Sequence, residues 1–272
     1  MLIVSTPPDE RSPEHDDASK PAGFVQSLER GLSVIRAFDA DHPRLTLSEV
    51  ARITGLTRAA ARRFLHTLVD LGYVHSDGRH FMLRPKVLDL GYAYLSSLSL
   101  PEVSQPHLER LSARVGESAS VSVLDGGDVV YIARVATKRI MTVSISLGTR
   151  FPAHATSMGR VLLAAQSDEW LSGFLASTKL KALTPYTVTD PQELRSIVND
   201  VREQGWALVD QELEEGLRSI AAPVHDAHGT VVAAVNISAP ARRGTSEDIV
   251  RDLLPPLLDT AEQIRADLRA LR

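Results

Sequence analysis

Thr46-Leu47-Ser48-Glu49-Val50-Ala51-Arg52-Ile53-Thr54-Gly55-Leu56-Thr57-Arg58-Ala59-Ala60-Ala61-Arg62-Arg63-Phe64-Leu65-His66 is the stretch on which the fold turns. Thr46 stands three residues before Glu49, the capping-box spacing in which hydroxyl and carboxylate each satisfy an orphan amide of a helix start. A short helix then runs to about Thr54, Gly55 supplies a turn, and Thr57 caps a second helix over Arg58–Leu71. That helix carries Ala61, Phe64, Leu65, Leu68 and Leu71 on one face. Two helices joined by a short Gly-containing turn read as a helix-turn-helix. Ala51 falls at the crossing, where only a small side chain fits, and Val50, Leu56, Ala61 and Phe64 take the core positions.

Working outward, Leu28, Leu32, Ile35 and Phe38 recur at three- and four-residue steps over Gln26–Phe38, which predicts a preceding helix with these residues on its buried face. After Gly72, Tyr73–His75 and His80–Leu83 flank Ser76-Asp77-Gly78, a hairpin about an Asp-Gly turn. Three helices and a hairpin make a winged helix-turn-helix over 24–84. Residues 85–99 return to helical spacing, with Val87, Leu88, Gly91, Tyr94, Leu95 and Leu98 too apolar for a lone surface helix, and predict a linker helix facing a partner chain or the next domain. The first 23 residues combine Pro7, Pro8, Pro13 and Pro21 with five acids and read as a disordered tail.

Charge separates these segments. The 272-residue chain has a formal net charge of -4, which alone argues against a nucleic-acid partner. Residues 24–95, however, hold ten Lys/Arg against seven Asp/Glu, and no acid falls on 57–69. Arg58, Arg62 and Arg63 occupy the N-terminal end of the third helix, where recognition helices meet base edges. Arg bonds guanine bidentately, worth about 1–3 kcal/mol of discrimination per pair. Ala59 and His66 share that helix, the Thr57 hydroxyl and first-turn amides suit a phosphate, Thr46 opens the preceding helix, and His75, Arg79 and His80 are wing residues. The expected partner is double-stranded, pseudo-palindromic operator DNA. A net of +3 is modest, so a homodimer is needed to double the phosphate contacts. The alternative is a generic interaction module whose arginines form a solvated face.

From residue 100 the pattern alternates strands and helices. Ser118–Leu124, Val129–Val135, Met141–Ser146, Ala207–Val209, Arg218–Val224 and Val231–Ser238 read as strands; Thr156–Ala165, Pro191–Gln204 and Ser246–Leu271 read as helices. The fold class is α+β, with helices around a mixed or antiparallel sheet. The chain has no cysteine, which removes thiol chemistry and disulfides and permits a cytoplasmic home. No apolar run is long enough to span a membrane. No catalytic motif with a mechanism appears, neither G-x-S-x-G, H-E-x-x-H, G-x-x-x-x-G-K nor G-x-G-x-x-G. His154, His225 and His228 have no metal-ligand spacing, and Asp210, Glu212, Glu214 and Glu215 read as a solvated loop. The expectation is no enzyme, no cofactor and no metal. An enzyme domain with an accessory DNA reader is the rival class; a constitutive architectural binder would not need so large a second domain.

The segments Ser27-Leu28-Glu29-Arg30-Gly31-Leu32, Thr54-Gly55-Leu56-Thr57-Arg58, Leu71-Gly72-Tyr73-Val74, Phe151-Pro152-Ala153-His154-Ala155-Thr156-Ser157-Met158-Gly159-Arg160 and Gly216-Leu217-Arg218-Ser219-Ile220-Ala221-Ala222-Pro223-Val224 together resemble the IclR family of transcriptional regulators. Thr57–Leu65 and Leu90–Leu98 resemble its Pca/Pob branch, which governs aromatic-acid catabolism through the β-ketoadipate pathway. The resemblance implies a winged helix joined by a helix to a GAF-like effector-binding domain over 100–272. It also implies dimers or dimers of dimers, a small organic-acid effector, and RNA polymerase as a further partner if the protein activates. Another small-acid pathway, such as glyoxylate or acetate use, is the alternative within the family.

A ligand site is expected to be a mostly apolar cleft with a few convergent polar groups. His154–Gly159 is a loop of small residues entering a helix, whose free amides suit a carboxylate; Asn236 and Ser238 alternate to one strand face, and Asp210–Ser219 is a third segment. The resemblance, carried position by position, implies effector contacts at Ser157, Met158, Asp210, Ser219, Asn236 and Ser238. Arg134, Arg150 and Arg218 are cationic candidates for an organic acid, each with a surface role or an ion pair as the alternative. His154 is also a candidate, better suited to a capping or core position.

Overall fold

The computed structural model describes residues 23–90, 100–137 and 145–270. The chain divides into two compact units, Met1–Tyr92 and Ala93–Arg272. The tail expected over 1–23 lies, except for Gly23, outside the described residues.

In the first unit, α1 (Gln26–Arg36), α2 (Leu47–Thr54) and α3 (Arg58–Asp70) pack beside a three-stranded sheet of β1 (Leu45–Thr46), β2 (Val74–Ser76) and β3 (His80–Leu83) in the order β1-β3-β2. Local chemistry accounts for the boundaries. Thr46 and Glu49 form the expected capping box, Gly55 adopts a φ of 67° at the turn, and the Ala60 amide donates to Thr57 Oγ1. Asp77 accepts from the amides of Arg79 and His80 and from Arg44, which ties the hairpin turn to β1. These bonds to the charged form hold the Asp77 carboxyl well below the usual range.

The core is Val34, Ala37, Phe38, Leu45, Val50, Ala51, Ala61, Leu65, Leu68, Val74 and Phe81. Two expectations need correction. Leu28 and Leu32 are 61% and 47% exposed, because the core covers only the end of α1, at Val34, and Ala37 and Phe38 just beyond it. Leu71, assigned to the buried face of α3, is also exposed, since it stands at the helix C-cap. Beyond Arg84 a 3₁₀ turn, Pro85–Val87, leads into helical residues 88–90. The rest of the linker helix expected over 85–99 lies outside the described residues.

The second unit is a six-stranded sheet with helices on both faces. Its strands are β4 (Ser118–Asp125), β5 (Asp128–Val135), β6 (Arg150–Pro152), β7 (Ala207–Asp210), β8 (Leu217–His225) and β9 (Val231–Pro240), in the order β6-β5-β4-β9-β8-β7. Every pairing is antiparallel. Its helices are α4 (Leu100–Val115), α5 (Ser157–Ala164), α6 (Asp168–Ser177), α7 (Pro191–Gln204) and α8 (Ser246–Ala270). Side chains alternate across a strand, and two cores follow. Ala119, Val121, Ile220, Ala222, Val224, Val235 and Ile237 meet Leu108 and Leu111 of α4 and Ile249, Leu253 and Leu257 of α8. Tyr131, Ala207, Ala221 and Ala234, on the opposite parity, meet Met158, Val161 and Leu162 of α5 and Leu194 and Val198 of α7. The strand expected over Met141–Ser146 falls mostly outside the described residues, and Ile145 and Ser146 carry no strand.

Candidate nucleic-acid interface and effector pocket

The amino end of α3 is the candidate nucleic-acid interface. Thr57, Arg58, Ala59, Arg62, Arg63 and His66 are all exposed, and no acid stands in the first turn. His75 and Arg79 are exposed on the hairpin. The Thr46 side chain is instead engaged by its own helix: its hydroxyl donates to Glu49 Oε2 at 2.7 Å and accepts from the Glu49 amide. The His66 ring meets Phe81 edge-on at 6.4 Å between centroids.

The second site lies between the sheet and the start of α5. Thr156 caps that helix, its hydroxyl accepting from the Gly159 amide at 3.0 Å. Gly159 is obligatory for the close approach: a Cβ there would lie 2.0 Å from the Ala153 carbonyl oxygen. Around this helix start, Tyr131, Ala155, Thr156, Ser157, Met158, Val209, Leu213, Leu217, Ser219, Asn236 and Ser238 line a small cavity of about 20 Å³. Strand parity explains the set. Val209, Leu217, Ser219, Asn236 and Ser238 all fall on the α5 face, with Ser219 directly opposite Ser238.

The polar groups form one network. Ser157 Oγ lies 2.8 Å from Ser219 Oγ. Asn236 Nδ2 donates to Ser219 Oγ at 2.9 Å and to Ser238 Oγ at 3.1 Å. Asn236 is 2% exposed, and its Oδ1 has no hydrogen-bond partner. Burial pushes the Tyr131 phenol up to about 12, the Arg134 guanidinium pulling the other way. Arg134, Ser120, Asn236 and Ala221 stand opposite one another in a row across β5, β4, β9 and β8. Arg134 Nη1 donates to Ser120 Oγ at 3.1 Å, and among the described residues no carboxylate perturbs it.

The structure therefore gathers Ser157, Met158, Ser219, Asn236 and Ser238 of the expected effector residues and leaves others elsewhere. Asp210 and Arg218 have the opposite parity from Val209 and Ser219. They pair with each other at 2.7 Å, and Arg218 also donates to the carbonyls of Ala241 and Gly244. Arg150 is exposed and clamps the β4–β5 turn through Asp125 at 2.6 Å and Asp128 at 3.1 Å. His154 is buried, with Nε2 3.1 Å from the Lys181 carbonyl oxygen, and burial lowers its pKa. Glu212 is not part of a solvated loop: it is buried and paired with buried Arg160 at 2.7 Å. Sequence reasoning missed Tyr131, Val209, Leu213 and Leu217 as lining residues; the shared parity of Leu217 and Ser219 was the available signal. Among the described residues there is no group of three metal ligands, and no helix is long and apolar enough to cross a membrane.

Residues 27–78 match the IclR helix-turn-helix domain, and residues 92–266 match the bacterial transcriptional regulator IclR C-terminal domain. The Pca regulon regulatory protein of Pseudomonas putida is 48% identical over 242 residues, spanning 89% of this chain and 83% of that protein. A solved structure from Rhodococcus sp. RHA1, described as that of a transcriptional regulator, is 58% identical with a TM-score of 0.81, covering 92% of this chain and 100% of that one. An IclR homolog from Microbacterium hydrocarbonoxydans, solved in complex with 4-hydroxybenzoate, is 27% identical with a TM-score of 0.80, covering 90% and 99%. With both characteristic domains matched across most of its length, the chain belongs to the IclR family of bacterial transcriptional regulators.

Proposed function

We propose that the protein regulates a catabolic operon for aromatic acids: residues 24–84 read a pseudo-palindromic operator as a dimer, and residues 100–272 bind an aromatic acid. The observation that carries the reading is the cavity at the amino end of α5, ringed by Ser157, Ser219, Asn236 and Ser238 and floored by apolar Val209, Leu213 and Leu217. The helix start offers amides to a carboxylate, and Arg134, half-buried on the same sheet face, supplies countercharge. The likeness to a Pca regulator and to a 4-hydroxybenzoate complex supports the ligand class. A cavity of about 20 Å³ holds a water and not an aromatic ring, for which about 150 Å³ is the scale. Effector binding thus opens the site, with the unbranched, adaptable Met158 side chain as the wall that moves.

In this reading two copies of α3 enter successive major grooves, about 34–36 Å apart. The acid shifts the population of dimer geometries that fit that spacing, to the extent that it binds them unequally. Where the effect is activation, RNA polymerase is the further partner. A thermal-shift panel of aromatic and dicarboxylic acids on the full chain tests the ligand class. A matching acid raises Tm by mass action, and an unchanged Tm with every acid would overturn it.

A further inference from the structure

We infer that Arg218 couples the occupied pocket to α8, as a positioning residue that ties the far side of the pocket strands to the amino end of that helix. This rests on the cavity at the start of α5 being the effector site. Leu217 and Ser219 of β8 and Val209 of β7 line that cavity. Strand alternation sends Arg218 and Asp210, which stand opposite each other in the ladder, to the other face. There the Arg218 side chain is buried. Its Nη2 donates to Asp210 Oδ2 at 2.7 Å, and its Nη1 donates to the carbonyls of Ala241 and Gly244. The Ser246 hydroxyl donates to the same Asp210 oxygen at 3.3 Å, and the Ala241 amide donates to the Gly216 carbonyl at 2.8 Å. One guanidinium, planar and fixed in its fork, thus holds β7, β8 and the connection that enters α8 at Ser246.

Two observations make this a route for movement as well as a brace. An acid larger than a cavity of about 20 Å³ presses on its walls. The segment carrying Leu213 is fastened to α5 through Glu212 and Arg160, so the load that Met158 does not absorb falls on β7 and β8. At the end of β7 stands Gln211, whose φ of 62° makes it the one non-glycine residue among those described in the left-handed region, a costly conformation for a residue with a Cβ. It lies between Asp210 on one face and Glu212 and Leu213 on the other, so the strained residue is the pivot between the pocket wall and the Arg218 pair. On the far face, α8 shares a core with α4, Ile249, Leu253 and Leu257 meeting Leu108 and Leu111, and His107 Nε2 lies 2.7 Å from Asp267 Oδ2. Close-packed helices pass a shift on instead of absorbing it. Of the helices described in this unit, α4 is the nearest in sequence to the DNA-binding residues.

Hydrogen exchange of the full chain, read by mass spectrometry, tests this with and without saturating 4-hydroxybenzoate or 3-oxoadipate, whichever calorimetry shows to bind the tighter. In the unmodified chain the bound acid changes exchange at residues 241–253 and 100–111 as well as around the cavity. Arg218→Lys keeps the charge and loses the fork. In that variant the acid binds within about twofold of its original affinity, as for sites that share no contact, and the response around the cavity stays. The response at 241–253 is lost, and the acid's effect on operator affinity shrinks with it. A merely structural brace would lower Tm and leave that effect intact. No response at 241–253 in the unmodified chain with an acid bound, or the same response in Arg218→Lys, would overturn the inference and leave the pocket assignment standing. Binding of neither acid would overturn the assignment and this inference with it. Where Arg218→Lys does not fold, Ser246→Ala removes only the hydroxyl contact to Asp210 and weakens the response at 241–253; an undiminished response there overturns the inference.

Discussion

Replacing Glu212 by Gln tests the buried ion pair that holds the pocket wall carrying Leu213. Glu212 Oε2 accepts from Arg160 Nη2 at 2.7 Å and from the Val188 amide at 3.0 Å, and both charged side chains are less than a tenth exposed. Thr184 and Thr187 hydroxyls donate to the Gln211 and Glu212 carbonyls, so the segment carrying Leu213 is fastened to the body of the unit at several points. The Gln variant leaves Arg160 buried and uncompensated, and breaking such a pair costs about 3–5 kcal/mol. For a unit of this size, each kcal/mol is worth roughly 2–4 °C, so Tm falls by about 6–20 °C. Removing both charges together, Arg160→Met with Glu212→Leu, recovers most of the loss, because a buried pair has little net advantage over apolar residues of similar volume. Calorimetric melts of Arg160→Met, Glu212→Leu and the double variant close the cycle, with Glu212→Gln measured beside them. A loss below about 1 kcal/mol for Glu212→Gln, or a double variant no better than Glu212→Leu alone, would show that the pair does not hold the wall.

Gly159→Ala forces α5 away from Ala153, whose carbonyl oxygen and Cα would lie 2.0 and 2.4 Å from the new Cβ; we expect a loss of about 1–3 kcal/mol in melts, and abolished effector binding by calorimetry with operator binding kept. His154 is held below its ordinary pKa of 6.5 by burial, so its contribution to stability is full above that pH and is lost as pH falls through the folded value. Tm of the full chain accordingly drops as pH falls below about 6.5, and His154→Gln flattens the decline; an unchanged profile in that variant would remove His154 as the cause. Arg62→Ala weakens operator binding by about 1–3 kcal/mol, or lowers the slope of affinity against salt by about one if its contact is a phosphate, while effector affinity stays the same. Undiminished DNA retention would remove α3 from the interface.

The helix-turn-helix was legible because its signals are local. Thr46 and Glu49, Gly55, Thr57 and Asp77-Gly78 each satisfy or bend nearby backbone, and the structure places each where its chemistry requires. Periodicity showed that α1 is amphipathic, but not what covers Leu28 and Leu32, because coverage is a tertiary property. In the second unit, positional likeness carried Asp210 into the pocket along with Ser219, and charge alone made Arg218 a candidate. The two-residue period of a strand separates them, and that period was readable in Leu217–Val224. The Arg160–Glu212 pair was hidden for a different reason: its partners are 52 residues apart, and a run of acids looks solvated until a buried cation is found opposite one of them. The helix Leu100–Val115 went unread around Pro101 and Pro106; Pro101 sits in its first turn, where its missing amide donor costs nothing.

In the proposed switch, an acid bound in the second unit alters how the chain holds DNA. Fluorescence anisotropy measures it most directly, with the full chain titrated onto a duplex selected from a random-sequence pool, at fixed salt, with and without saturating 4-hydroxybenzoate. Operator affinity is expected to change by about 5–150-fold, the usual span of a coupling free energy between sites. Identical affinity in the presence of an acid shown to be bound would contradict it.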